Sequence, residues 1–153
     1  MMENCFELDR GKVFVSGLHW QALSGNPSEA KHEAQRLAKQ LEFDLAMYRT
    51  GGAPQIGFAS SVDGYKAGML SAAAVVSKTL ELEDNVRDFL CAAELPDGRF
   101  LLVVQADGVI TPDGDALGSE DEIRAKMLEY LSLDKTWDKI FAPLMWGMQG
   151  SVE

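Results

Sequence analysis

The chain has 153 residues, 46% of them hydrophobic, which is enough apolar material for one core and sets a single domain as the expectation. Its 14 basic residues against 24 acidic ones leave a formal charge of −10, which repels nucleic-acid backbones and anionic lipid surfaces. The opening Met1-Met2-Glu3-Asn4-Cys5-Phe6 lacks a basic region leading into an apolar one, and the apolar stretch from Ala67 to Val76 is too short to cross a bilayer. A cytosolic chain is expected.

Residues 1–11 read as an N-terminal extension. Lys12 to Leu18 is β-branched and aromatic and predicts a first strand, with Gly17 permitting a bulge or close approach at its end. Asn26-Pro27-Ser28-Glu29 supplies a cap, a proline for the first helical position and a capping glutamate, predicting a helix over Pro27 to Leu41. Phe43 to Arg49 and Gln55 to Ser60 predict a hairpin closed by Thr50-Gly51-Gly52-Ala53-Pro54. A helix rich in small residues follows over Ala67 to Leu82. Arg87 to Leu95 and Arg99 to Ala106 predict strands joined at Pro96-Asp97-Gly98, and Asp107-Gly108 and Pro112-Asp113-Gly114-Asp115 bracket a short strand at Val109 to Thr111. Ser119-Glu120-Asp121-Glu122 opens a last helix to Leu131. Strands in pairs between helices predict an α+β fold, a mixed or antiparallel sheet with helices packed on it, over residues 12–133.

The segment 134–153 has a different composition. Trp137, Ile140, Phe141 and Leu144 fall at helical spacing, so they are expected to share one face of a short helix kinked by Pro143, with Trp137 largely buried and the end near Met148 freer. The segment either packs back on the domain or leads toward a transmembrane part outside this chain. Trp137, Phe141 and Trp146 are its candidate partner-binding residues.

No catalytic residue is assigned. Ser16, Ser24, Ser60 and Ser61 stand outside any nucleophile elbow, and His19 and His32 are read as packing and surface residues. Thr50-Gly51-Gly52 precedes a strand instead of a helix, which favours a hairpin turn over a phosphate cradle. Asp107, Asp113, Asp115, Glu120, Asp121 and Glu122 are the densest acids, but their spacing departs from a calcium loop, and turn formation and a helix N-terminus account for them. Cys5 and Cys91 belong to no metal-ligand pattern, and Cys91, inside Phe89-Leu90-Cys91-Ala92-Ala93, is expected to be buried and inert. Neither cofactor nor metal is expected, and the chain is read as a protein-binding module, not an enzyme.

Gly17-Leu18-His19-Trp20-Gln21-Ala22-Leu23 after a hydrophobic strand, followed by Arg99-Phe100, Asp107-Gly108-Val109-Ile110 and Pro112-Asp113-Gly114-Asp115, resembles the N-terminal cytoplasmic domain of the PilO-type pilin accessory proteins of type IVb pilus systems. The resemblance covers most of residues 12–132. It implies an assembly-platform scaffold at the cytoplasmic face of the bacterial inner membrane, binding the pilus assembly ATPase or inner-membrane platform subunits. Membrane attachment would run through a segment absent from this chain. It also implies an actin-like or ribonuclease-H-like half without ATPase function. A nucleotide- or divalent-metal-binding actin-like protein, with Asp107, Asp113 and Asp115 around the ion, is the competing reading, and self-association through the apolar C-terminal segment is a third.

Overall fold

The computed structural model describes residues 4–8, 12–23, 27–49, 55–84, 86–148 and 151–152. At the centre, β7 (Phe89–Glu94), β8 (Phe100–Ala106) and β9 (Val109–Gly118) form an antiparallel meander. Helix α3 (Glu120–Leu131) then carries the chain across to β10 (Lys139–Phe141), which runs parallel to β7, and β11 (Ser151–Val152) adds parallel to β10. The sheet order is therefore β11-β10-β7-β8-β9. The meander is thus continued by parallel strands across a helical crossover, a mixed sheet with helices packed on it, and the fold is α+β as expected.

β8 explains why this sheet is central. Phe100 through Gln105 are all buried, the mark of a strand covered on both faces. Phe100, Leu102 and Val104 join Leu90, Ala92 and the Ile123 and Met127 of α3 in one core, while Leu101 and Val103 turn to the opposite face with Phe89, Val86, Ala72 and Ala73. Period-two alternation thus divides one strand between two cores.

Before the central sheet the chain builds two smaller ones. β1 (Cys5–Leu8), β2 (Lys12–Val15) and β6 (Leu70–Ser71) form the first, so part of the expected N-terminal extension is a paired strand with Cys5 and Phe6 buried. β3 (His19–Ala22), β5 (Gln55–Ala59) and β4 (Leu45–Arg49) form the second, with α1 (Pro27–Leu41) packed on it through Ala34, Leu37 and Ala38 against Ile56 and Phe58. α1 ends where Glu42 takes a left-handed conformation (φ 61°) and Phe43 N–H reaches back to the Ala38 carbonyl at 2.9 Å.

Several expectations need correcting. The first strand stops at Val15, and His19 and Trp20 belong to a separate strand, β3. The helix expected from Ala67 starts at Ala72, as α2 (Ala72–Asp84), because Gly68 (φ 91°) and β6 intervene. Pro112-Asp113-Gly114-Asp115 is no turn: it lies inside β9 as a large bulge, where Val104 of β8 faces residues 111–114. Only glycine fits at 114, since a Cβ there would stand 2.8 Å from the Val104 carbonyl. The C-terminal helix is absent too: β10 and a 3-10 turn over Leu144–Trp146 take its place, with Met148 buried and Trp137 only half-buried. Pairing with β7 outweighs the helical spacing. The Thr50 to Pro54 turn lies outside the described residues.

Candidate functional site

Two buried polar clusters fix the N-terminal sheets against the central one. The bulge in β9 aims Asp115 inward, where Ser16 Oγ donates to Oδ1 at 2.8 Å and Trp20 Nε1 and Leu18 N–H donate to Oδ2 at 2.9 and 3.2 Å. Gly57 leaves room for this arrangement, because a Cβ there would come within 3.1 Å of the Trp20 ring. Burial pushes the Asp115 carboxyl above its ordinary range, and the donors from Trp20 and Ser16 pull the other way. Tyr65, whose hydroxyl donates to the Ser16 carbonyl at 2.6 Å, is pushed up to about 12 mainly by burial.

Arg49 centres the second cluster. Its Nε and one terminal nitrogen donate to Ser77 Oγ at 3.2 and 2.7 Å, and its terminal nitrogens also reach Gln55 Oε1, the Gly108 carbonyl and Gln105 Oε1 at 3.1, 2.9 and 2.9 Å. Gln55 in turn brackets Ile110, accepting from its N–H and donating to its carbonyl, each at 2.8 Å. Burial lowers the guanidinium pKa from its ordinary value while the nearby Glu81 charge opposes that shift. The guanidinium is satisfied by neutral acceptors of this chain, so the cluster reads as a structural clasp, not a ligand site.

The acidic residues do not gather around an ion. Asp115 is committed to Ser16, Leu18 and Trp20; Asp107, at the β8–β9 turn, pairs with Lys135 at 3.3 Å; Glu122 caps α3; and Glu120 accepts from Trp146 Nε1 at 3.0 Å. Among the described residues no three His, Cys, Asp or Glu side chains converge on a metal position. His19 packs against Phe43 with ring centroids 5.6 Å apart, and His32 is exposed on α1.

The three candidate partner-binding residues are not on one surface. Trp146 is buried on the α3 face, stacked on Phe100 at 5.5 Å with Arg124 over its ring at 6.0 Å. Trp137, on the same side, meets Tyr130 edge-on at 6.3 Å beneath Lys135, and its Nε1 is buried with no hydrogen-bond partner among the described residues. Phe141 faces the other side and helps form an apolar groove of about 620 Å3. α2 supplies one wall through Val75, Val76, Thr79 and Leu80, and Cys91, Ala93 and Phe141 line the sheet side. α2 packs mainly over β8 and β9, and the groove lies beside it over the Cys91–Glu94 stretch of β7 and Phe141 of β10. Burial pushes the Cys91 thiol up to about 11, so it stays protonated at neutral pH. Sequence reading missed the groove, since its two sides come from elements whose pairing only β10 reveals.

The groove has the size and apolar character of a docking surface, and its owner is identified by comparison with known proteins. The profile of the family described as Pilin accessory protein (PilO) matches residues 14–153. The chain belongs to this pilin accessory family. It therefore has a role in type IV pilus assembly. The PilO-family chain also superposes on a solved structure, the crystal structure of the cytoplasmic domain of BfpC, with a TM-score of 0.75 and 14% identity, over 98% of this chain and 88% of that one. At that identity the likeness establishes the fold. No curated protein matches the chain.

Proposed function

We propose that this PilO-family chain is a cytoplasmic scaffold domain of a type IVb pilus assembly platform, docking the assembly ATPase or another inner-membrane platform subunit. The observation that carries the reading is the family match over residues 14–153, together with a fold shared with a domain described as cytoplasmic. The groove beside α2 supplies a surface for such contact, and Phe141 is the candidate residue placed to take part. Trp146 and Trp137 support the opposite face of the sheet. Attachment to the inner membrane would run through a segment outside this chain.

Calorimetry of the purified chain against the assembly ATPase and each platform subunit tests the proposal. Saturable binding to one of them, weakened at least tenfold by Phe141→Ala with Val75→Glu, is the expected result. No binding to any subunit, with magnesium nucleotide instead raising the unfolding temperature, would replace it with the nucleotide-binding reading.

A further inference from the structure

An edge of the second small sheet marks a second contact surface. β4 is an edge strand: among the described residues β5 is its sole strand partner, in regular register from Leu45↔Ala59 to Arg49↔Gln55. Natural edges are usually blunted by charge, proline, a bulge or very short length, because their free N–H and C=O groups otherwise recruit another strand. Of the other edges, β9 carries Pro112, Asp113 and the bulge, β1 and β3 are four residues each, and β11 and β6 two each. β4 reads Leu45-Ala46-Met47-Tyr48 with none of these devices before the buried Arg49.

The surroundings fit an added strand. Leu45 and Met47 are half-buried and turn toward the core, whereas Ala46 and Tyr48 are exposed, Tyr48 by 53%. Recesses flank the strand: one of about 170 Å3 where Leu45 and Met47 meet Lys66 and Met69, and one of about 360 Å3 between Met47–Arg49 and the Ala74, Lys78 and Leu82 side of α2. Leu82, 75% exposed, and Tyr48 together offer apolar contact beside the edge. A strand laid along β4 would send successive side chains to opposite faces, one set toward these recesses on the Leu45 and Met47 face and the other beside Ala46 and Tyr48.

We infer that β4 accepts an extended segment of another protein by strand addition, the segment carrying apolar residues at alternate positions and no net negative charge. Charge decides against a second copy as the occupant: two chains of formal charge −10 repel, whereas a neutral or basic segment is attracted. The inference does not depend on which pilus subunit the groove contacts.

Selection of a displayed library of random twelve-residue peptides against the whole chain, with deselection on an Ala46→Lys/Tyr48→Lys variant of matched unfolding temperature, tests this. The expected peptides alternate apolar residues, lose at least tenfold in affinity for the variant, and slow amide exchange of residues 45–48 at least tenfold when bound. N-methylation of the peptide nitrogens that face β4 should abolish binding, while methylation at the intervening positions leaves it, a readout that leaves the protein unaltered. Peptides indifferent to both the variant and N-methylation, or no selected peptide at all, would overturn the inference. A dimer of the free chain that the same double variant dissolves would assign the edge to a second copy instead.

Discussion

Asp115 Oδ2 accepts the indole N–H of Trp20 at 2.9 Å, across 95 positions of chain, and so ties the first half of the molecule to the last strand of the central meander. The carboxylate is 4% exposed and meets donors alone. Asp115→Ala leaves Trp20 Nε1, Ser16 Oγ and Leu18 N–H without their acceptor and should cost about 2–4 kcal/mol in chemical denaturation. Asp115→Asn is expected to be far milder, because its oxygen can serve Trp20 and Leu18 while its amide donates to Ser16 Oγ.

The same pair gives a pH signature. Since burial raises the Asp115 pKa, the folded chain keeps a proton over a range in which the unfolded chain has lost it. The folded state binds more protons there, so this group's contribution to stability falls as pH rises from the ordinary aspartate range through the raised value. Asp88 and Asp97 have lowered pKa values and act in the opposite direction. The difference between wild type and Asp115→Asn isolates the effect: unfolding free energies measured from pH 4 to 8 should shift progressively in favour of the variant. A constant difference would mean that folding leaves the Asp115 pKa unshifted.

Arg49→Lys should be costly despite keeping the charge. The guanidinium spans Ser77, Gln55, Gly108 and Gln105 at once, and an ammonium has neither the reach nor the number of donors. A loss of about 2–4 kcal/mol is expected from the unmet acceptors, read as a lower denaturant midpoint with an unchanged slope.

On the α3 face, Trp146→Ala removes the ring stacked on Phe100 and should cost about 3–5 kcal/mol. Truncation after Leu133 should do more, since it also strips β10 from β7 and takes Ala142 and Met148 out of the core. An unchanged midpoint after truncation would show that this segment contributes nothing to the fold.

Glu42→Gly is a stabilising change. Glu42 holds a left-handed conformation that glycine adopts without strain, and the side chain is exposed, so a gain of about 0.5–1 kcal/mol in the unfolding free energy is expected.

How far the sequence could be read depended on whether the signal was local. Pro27 and the Ser119/Glu122 capping box fixed α1 and α3, because caps act within one turn. Pro96-Asp97-Gly98 gave the β7–β8 turn, with Gly98 at φ 88°. Pro112-Asp113-Gly114 misled because a proline, an acid and a glycine suit a wide bulge as well as a turn, and only the partner strand distinguishes them. The C-terminal segment misled for a related reason: four apolar residues at helical spacing carry no information about a parallel strand waiting at β7. Phe141 was found as a candidate from composition, but the groove it lines required α2 and β10 to be brought together. Arg49 was hidden because a buried arginine inside a strand pattern looks like any exposed one.

The parallel pairing of β7 with β10 has a consequence for how the chain is made. β7 is complete at Glu94, yet the strand that covers its far edge begins at Lys139, after the whole meander and α3 have been synthesised. Until then a nascent chain holds Phe89 to Glu94 with one neighbour, β8, and an open apolar edge on the other side. Non-local pairings of this kind close late and slowly, and the exposed edge is the natural place for a chaperone to bind a chain still on the ribosome. Arrested chains ending before Lys139 would therefore be protease-sensitive around β7, and chains extended past Met148 would not.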